Sequence, residues 1–423
     1  MNLFNNLWTL IISIINIIAV GVYLYYLFLA VFSFFVKKRK LKEFGNRKFA
    51  IVIPAHNESQ VVGEGIDSIK HMNYPEELYD IYVIADNCTD STSEVARSRG
   101  AKVMERTDPK FGGKGYALKW FFPILLQTDE DYRSVVILDA DNIVHPDFLA
   151  KINNKMNQGY KIVQGYLDSK NPFDSAITGY NSIAFWVSNR MLKLSRDNLG
   201  LSAQLGGTGF SVDTDILREY GWDATCLTED LEFTCKLVLN GHKVGWEHEA
   251  IIYDEKPLTL KASWIQRKRW MQGFADVFTQ YFFPLMKKGI TKGSFIMIDC
   301  AIYSIQPILL ILTGISALYG IVHGLYYLSD TLAQMPILHL GQPMSPSDLG
   351  SVVVQIAQVL LSPVMMLIDK KLSLKSMLAY ITYPVYLVTW MPLAVMGILH
   401  KNKKEWAHTE HTRAIKIHDI DQK

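Results

Sequence analysis

Apolar residues crowd the two ends of the chain and alternate with polar ones through its middle. Residues 7–36 carry no acidic or basic side chain, a run long enough to cross a hydrocarbon layer with some tilt. Lys37-Lys38-Arg39-Lys40 follows at once. A basic flank marks the cytoplasmic end of a span, so the N-terminus is expected outside. Nothing basic precedes the run and no small-residue cleavage site follows it, which reads as a span rather than a removable leader. Residues 295–328, 349–368 and 377–399 are further spanning candidates. Asp299, Pro307 and Gly314 interrupt the first of these, and Pro384 and Pro392 the last. Such residues are tolerated best inside a helix bundle, so that is where the prolines are predicted to lie. Residues 274–286 are aromatic and amphipathic and end in Lys287-Lys288, the pattern of a helix lying in the membrane interface. Four crossings would leave the C-terminus outside, yet Lys401-Asn402-Lys403-Lys404 asks for the cytoplasm. Either one segment is re-entrant or residues 295–328 form a hairpin.

Between the apolar ends the period changes. Residues 49–54, 81–86 and 135–138 are short β-branched runs bounded by turn residues, and read as buried strands. Residues 63–71 and 91–99 read as helices, the second opened by Thr89-Asp90 as its N-cap. Strands alternating with helices predict an α/β domain on a mostly parallel sheet, with ligands at the strands' carboxyl ends. The expected divisions are residues 1–46 (span and basic linker), 47–273 (α/β domain), 274–292 (interfacial helix), 293–400 (C-terminal spans) and 401–423 (basic tail).

Composition narrows the classes. A net charge of +2 over 423 residues gives no nucleic-acid signal. Cys88, Cys226, Cys235 and Cys300 form no CxxC pair and keep no histidine spacing, so they read as free thiols.

The chemistry lies in short strings. Asp139-Ala140-Asp141 ends an apolar strand, and its carboxylates, two positions apart, converge on one divalent cation, Mg²⁺ or Mn²⁺. The bland alternative is a solvated acidic turn. Gly112-Gly113-Lys114-Gly115 either lets backbone and ammonium approach a pyrophosphate or is a plain surface loop. Thr228-Glu229-Asp230 opens a helix, whose positive end favours either acid without catalysis. Gly206-Gly207-Thr208-Gly209 permits close approach of a saccharide, or is only a turn. In Gln266-Arg267-Lys268-Arg269-Trp270, Arg269 suits phosphate oxygens and Trp270 offers a face for a pyranose ring. Gln266 lies one helical turn before Trp270, and Lys268 reads as a membrane-surface anchor. Trp406, His408 and His411 are either a lid or an ordinary tail.

Taken in order, the 51–58 strand IVIPAHNE, DAD, TED and QRKRW resemble the inverting, membrane-bound glycosyltransferases of family 2, over residues 49–273. Cellulose, hyaluronan, chitin and poly-N-acetylglucosamine synthases belong to that group. The resemblance implies a GT-A nucleotide-sugar domain on the cytoplasmic side of a multi-pass cell-membrane protein. It implies a UDP-hexose or UDP-N-acetylhexosamine donor, a growing polysaccharide acceptor, and accessory export subunits as possible partners. By the same resemblance Glu58 and Asp86 contact the nucleoside, although Ala85 replaces the first of the usual paired aspartates. Asp139 would face the nucleotide and Asp141 the metal. Lys114 and Arg269 would meet the phosphates, Asp230 would be the general base, and Gly207, Thr208, Glu229, Gln266 and Trp270 would line the acceptor. QxxRW favours processive transfer. The rivals are a non-processive transferase that glycosylates a lipid and an inactive export subunit.

Overall fold

The computed structural model describes residues 2–37, 45–224, 226–316, 318, 359–403, 413–415 and 417–420. The chain opens with helix α1 (Asn2–Val31) and enters the α/β domain at strand β1 (Phe49–Ala55). There follow α2 (Val62–Lys70), β2 (Tyr79–Asp86), α3 (Thr92–Ser98), β3 (Lys102–Arg106), α4 (Lys114–Leu125), β4 (Ser134–Ile137), β5 (Ile143–Val144) and α5 (Phe148–Asn157). The second half contributes β6 (Ile162–Ser169), α6 (Ala176–Ser188), α7 (Ser195–Asn198), β7 (Phe210–Asp213), α8 (Thr214–Tyr220), α9 (Glu229–Leu239) and β8 (Val244–Asp254).

The strands form one sheet in the order β3-β2-β1-β4-β7-β6-β8-β5. The pairs β3-β2, β2-β1, β1-β4 and β6-β8 are parallel, while β7 runs against both neighbours and β5 against β8. The sheet is therefore mostly parallel, as its alternation with helices requires. Both faces are covered, which is why β1 is apolar throughout and β4 is apolar after Ser134. Ala50, Val52, Val135 and Ile137 enter the core on one face with Phe121 and Phe122 of α4. Phe49, Ile51, Ile53 and Val136 enter the other with Phe148 and Ile152 of α5. This is the period of two expected along a strand.

Beyond β8, α10 (Leu260–Lys292) runs unbroken until Gly293 takes a left-handed conformation at φ 63°. A separate interfacial helix over 274–292 is thus not what forms. No stop signal stands between Trp270 and Phe274, and Gly273 is buried against Thr228, so one helix carries both segments. Val277 and Leu285 pack with Leu231 and Cys235 of α9 and with Met297 and Cys300.

Helix α11 (Phe295–Ser304) and α12 (Gln306–Ser316) meet at a bend of 64°. Pro307 sits at the start of α12, where its missing N–H costs least. Then come α13 (Val359–Ile368), α14 (Leu374–Val388) and α15 (Trp390–Leu399). By length and composition, Leu10–Val31 and Leu374–Leu399 suffice to cross a membrane, and the bent pair makes up to three spans among the described residues. Residues 349–358, from a predicted span, and Trp406, His408 and His411 lie outside the described residues. Pro307 is buried, but Pro384 and Pro392 are exposed, contrary to the expectation that all three lie inside the bundle. The faces of α14 and α15 that turn inward carry Tyr386, Leu393, Ala394 and Gly397, and the prolines fall on the other side.

Candidate active site

The carboxyl ends of β1, β2 and β4 open into one cavity of about 940 Å³, which continues past the start of α9 to the flank of α10. Every residue expected to meet donor, acceptor or metal lines it: Glu58, Asp86, Lys114, Asp139, Asp141, Gly207, Thr208, Glu229, Asp230, Gln266, Arg269 and Trp270. No pair of these groups adjoins in sequence across motifs. The sheet brings them together.

At the β1–β2 end, Asp86 is buried, and its carboxylate pairs with Arg106 and accepts a 3.0 Å hydrogen bond from the Gly113 amide. It therefore ties the glycine loop to the sheet while facing the cavity. His56 Nδ1 lies 2.7 Å from the Asp86 carbonyl oxygen. Asp90 accepts from the amides of Ser59 (3.1 Å) and Thr92 (3.0 Å), a turn just ahead of α3, whose N-cap position falls on Ser91 rather than on the expected Thr89-Asp90.

Lys114, the first residue of α4, pairs with Asp139 and donates to the Gly207 carbonyl at 2.6 Å. Burial works to lower its pKa, but Asp139, Glu229 and Asp230 hold it above the usual lysine value. The Asp139 amide donates to Thr208 Oγ1 at 2.9 Å, and the Thr208 hydroxyl reaches Asn142. Thr208 thus clamps the DAD turn as well as lining the cavity. Gly207 and Gly209 take φ of 83° and 65°, a backbone that side chains with a Cβ resist.

Asp141 is buried, and its carboxylate accepts from the Glu255 amide at 2.7 Å. Lys170 Nζ donates to the Asp141 carbonyl at 2.8 Å and lies 3.8 Å from its carboxylate and 3.2 Å from Glu255. Burial pushes the neighbouring Asp254 up to about 6. Lys170 and Asp254 escaped the sequence reading because β6 and β8 did. Their apolar runs are interrupted, by Gln164 and Gly165 in β6 and by Glu247, His248 and Glu249 in β8.

Glu229 and Asp230 form the first turn of α9, with Thr228 at its N-cap position but making no side-chain cap. Burial pushes Glu229 up to about 7, with Asp230 adding to the rise. Burial also raises Asp230, while the Leu231 amide, Lys114 and Lys193 pull it back. The helix end thus holds two buried carboxyls that cannot both ionise freely.

On α10, Gln266, Arg269 and Trp270 share the cavity face, at the i, i+3, i+4 spacing of one helical side. Arg269 Nε is buried with no hydrogen-bond partner among the described residues. Trp270 stacks on Trp390 at 6.3 Å and meets Phe185 edge-on at 6.2 Å. Arg267 points the other way. It donates to Thr389 Oγ1 at 2.7 Å and lies 4.1 Å over the Tyr386 ring, so it fastens α10 to α14 and α15.

Residues 46–273, more than half of the chain, match the family described as Glycosyltransferase like family 2. The chain belongs to that family. Its relatives include a probable glycosyltransferase, YdaM, of Bacillus subtilis, 28% identical over 57% of this chain and 60% of the relative. A beta-monoglucosyldiacylglycerol synthase of Nostoc is 27% identical over 56% and 51%. A poly-beta-1,6-N-acetyl-D-glucosamine synthase of Staphylococcus epidermidis is 26% identical over 62% and 65%. The chain spans only about half to two thirds of the length of these relatives. In structure it is similar to the mannosyltransferase PcManGT from Pyrobaculum calidifontis, solved with GDP-Man and Mn²⁺. The TM-score is 0.59 at 15% identity, covering 93% of this chain and 99% of that one. The family 2 domain here is thus a GT-A-like α/β fold with apolar helices at both ends.

Proposed function

We propose that the protein is an inverting, membrane-embedded transferase that extends a β-linked polysaccharide from a UDP-hexose or UDP-N-acetylhexosamine and passes it outward through its helices. The observation that carries this reading is the continuity of the cavity, from Glu58 and Asp86 through DAD and TED to Trp270, Trp390 and Tyr303. A donor end, a base and an aromatic face beside apolar helices lie in one space. Glu58 and Asp86 would hold the nucleoside. Lys114, the amides at the start of α4, and Arg269 would hold the diphosphate. Asp230 would take the proton of the acceptor hydroxyl as that oxygen attacks the anomeric carbon, and Glu229 and Gln266 would orient the acceptor. Trp270 would carry a sugar ring on its face.

The donor set fits a hard divalent cation. Asp139 and Asp141 offer only carboxylate oxygens, and no group of three or more His, Cys, Asp or Glu gathers among the described residues. That leaves positions for diphosphate oxygens and water, as Mg²⁺ and Mn²⁺ favour. When bound, the ion would neutralise charge on the departing nucleoside diphosphate. Transfer is expected to stop in EDTA and to return with Mg²⁺ or Mn²⁺, and Asp141→Asn is expected to lose the response. Full activity of that variant in metal-free buffer would remove the ion from the reaction.

A second reading is transfer of a single sugar to a lipid. It is favoured by the diacylglycerol-glycosylating relatives and by a cavity wall partly built from α11 and α15. The full chain, purified in detergent, should be given UDP-sugars and Mg²⁺ and its product sized. Long chains, shortened by Trp270→Ala with UDP binding kept, are expected. One sugar added per lipid acceptor would instead establish the second reading.

A further inference from the structure

Lys193 has no part in the reaction outlined above, yet its side chain is buried in the wall of the same cavity. The backbone that carries it is unusual. Residues Asn189–Leu194 form a π-helical turn, with the Ser195 amide bonded to the Arg190 carbonyl five residues back. Such turns are rare and concentrate at functional sites. An α-helical continuation of α6 would set Leu192 above Ser188. The wider turn brings Lys193 onto that face too, and all three line the cavity.

The ammonium lies close against the glycine loop: a Cβ on Gly206 would lie 2.9 Å from Lys193 Nζ. The Gly206 amide is held by Gln164 at 2.8 Å, which fixes the loop. The next residue, Gly207, is the one whose Cβ would lie 3.8 Å from Asp230 Oδ2. Lys193 Nζ therefore stands on the same two-residue turn as the base, 5.3 Å from the centroid of the Trp246 ring. The Trp246 face offsets part of its burial as a cation–π contact, but among the described residues no carboxylate pairs with it and no acceptor takes its protons. Lys114, in contrast, pairs with Asp139, and Lys170 with Glu255. A buried ammonium without an acceptor is costly, and the cost is tolerated where a ligand supplies the missing oxygen. Arg269 and the α4 amides already serve the diphosphate, so that oxygen belongs to the sugar.

We propose that Lys193 is a sugar-specificity residue, whose ammonium receives a carbonyl or carboxylate oxygen carried by the donor sugar beside Asp230. The inference rests on the nucleotide-sugar reading above. An N-acetyl carbonyl and a uronate carboxylate share this chemistry, and a plain hexose lacks it.

The test measures the affinity of the full chain for UDP-glucose, UDP-N-acetylglucosamine and UDP-glucuronate relative to UDP, in wild type and in Lys193→Met. The substitution removes a buried charge and keeps the volume, so the variant folds. Wild type is expected to bind one of the two substituted donors roughly 10- to 100-fold more tightly than UDP-glucose, the scale of a charge-assisted hydrogen bond. Lys193→Met is expected to erase that preference and to leave UDP and UDP-glucose within about threefold, a change well under that scale. The identity of the preferred donor separates the acetamido from the uronate source. Equal weakening of all donors in the variant, or a wild-type preference for UDP-glucose, overturns the inference. Because binding needs no turnover, chain elongation can be scored separately. A protein that shows the Lys193-dependent preference yet makes no polymer upholds the inference and refutes only the polymerising reading.

Discussion

Glu229 and Asp230 show how one helix end serves structure and chemistry together. The first turn of α9 stabilises both carboxylates through its free amides, while burial opposes their ionisation. The proposed base must be ionised to act, and burial raises Asp230, so turnover is expected to rise with pH across a range above the usual aspartate value. In Glu229→Gln the rise should remain, because Asp230 and not Glu229 is the group whose ionisation the reaction needs. Asp230→Asn keeps the shape but removes the proton acceptor, and kcat should fall by roughly 10²-fold or more with UDP affinity unchanged. A pH–rate profile of the three proteins checks both statements. Wild-type turnover in Asp230→Asn would return Asp230 to helix capping alone. The same carboxyls bear on stability with a definite sign. A Glu whose folded pKa lies above its unfolded one favours the fold at low pH, and that contribution is lost as pH rises from about 4.5 through about 7.

At the scale of elements, α10 joins the domain to the bundle. Its cavity face carries Gln266, Arg269 and Trp270, its opposite face carries Arg267, and Gly273 lets it approach the start of α9. A Cβ at Gly273 would collide with the Thr228 side chain and lie 2.7 Å from the Thr228 amide nitrogen. Gly273→Ala is therefore expected to cost about 1–3 kcal/mol of stability, the usual scale of overpacking, despite alanine's better helix propensity. It should also slow transfer, because the residue it displaces adjoins Glu229. Thermal unfolding beside an activity assay tests this, and a stabilised, fully active variant would show that the contact yields. The strands β1, β2 and β4 and the helices α2 and α3 were legible because each has an undisturbed period and clear turn residues at its ends. Strand β8 was not, because Glu247, His248 and Glu249 interrupt its apolar run at the bulge where its pairing with β6 shifts register.

Across the whole molecule, a buried ion pair fixes the N-terminal helix to the catalytic domain. Arg196 and Asp299 are both fully buried, joined by guanidinium–carboxylate contacts of 2.9 Å, and the Tyr25 hydroxyl donates to the same carboxylate. Elements α1, α7 and α11 meet there. Asp299→Ala would leave the Arg196 charge unpaired, and a loss of about 3–5 kcal/mol is expected. Replacing both partners, as Arg196→Met with Asp299→Leu, should restore most of it. Unfolding of the detergent-solubilised protein measures both, and an unchanged melting temperature in Asp299→Ala would mean that water reaches the guanidinium.

Local pattern was enough for β1, β2 and β4, the family and the motif residues that line the cavity, since DAD, TED and QRKRW each declare their chemistry within a few positions. Pairing was a different matter. Arg106 on Asp86, Thr208 on Asp139 and Lys170 beside Asp141 join residues 20, 69 and 29 positions apart. No local period encodes such contacts, because they are set by the order of strands in the sheet. The exposed Pro384 and Pro392 and the unbroken α10 have the same origin. Which side of a helix meets a neighbour depends on the packing that surrounds it, and a backbone turn such as the one presenting Lys193 exists only once both its neighbours are in place.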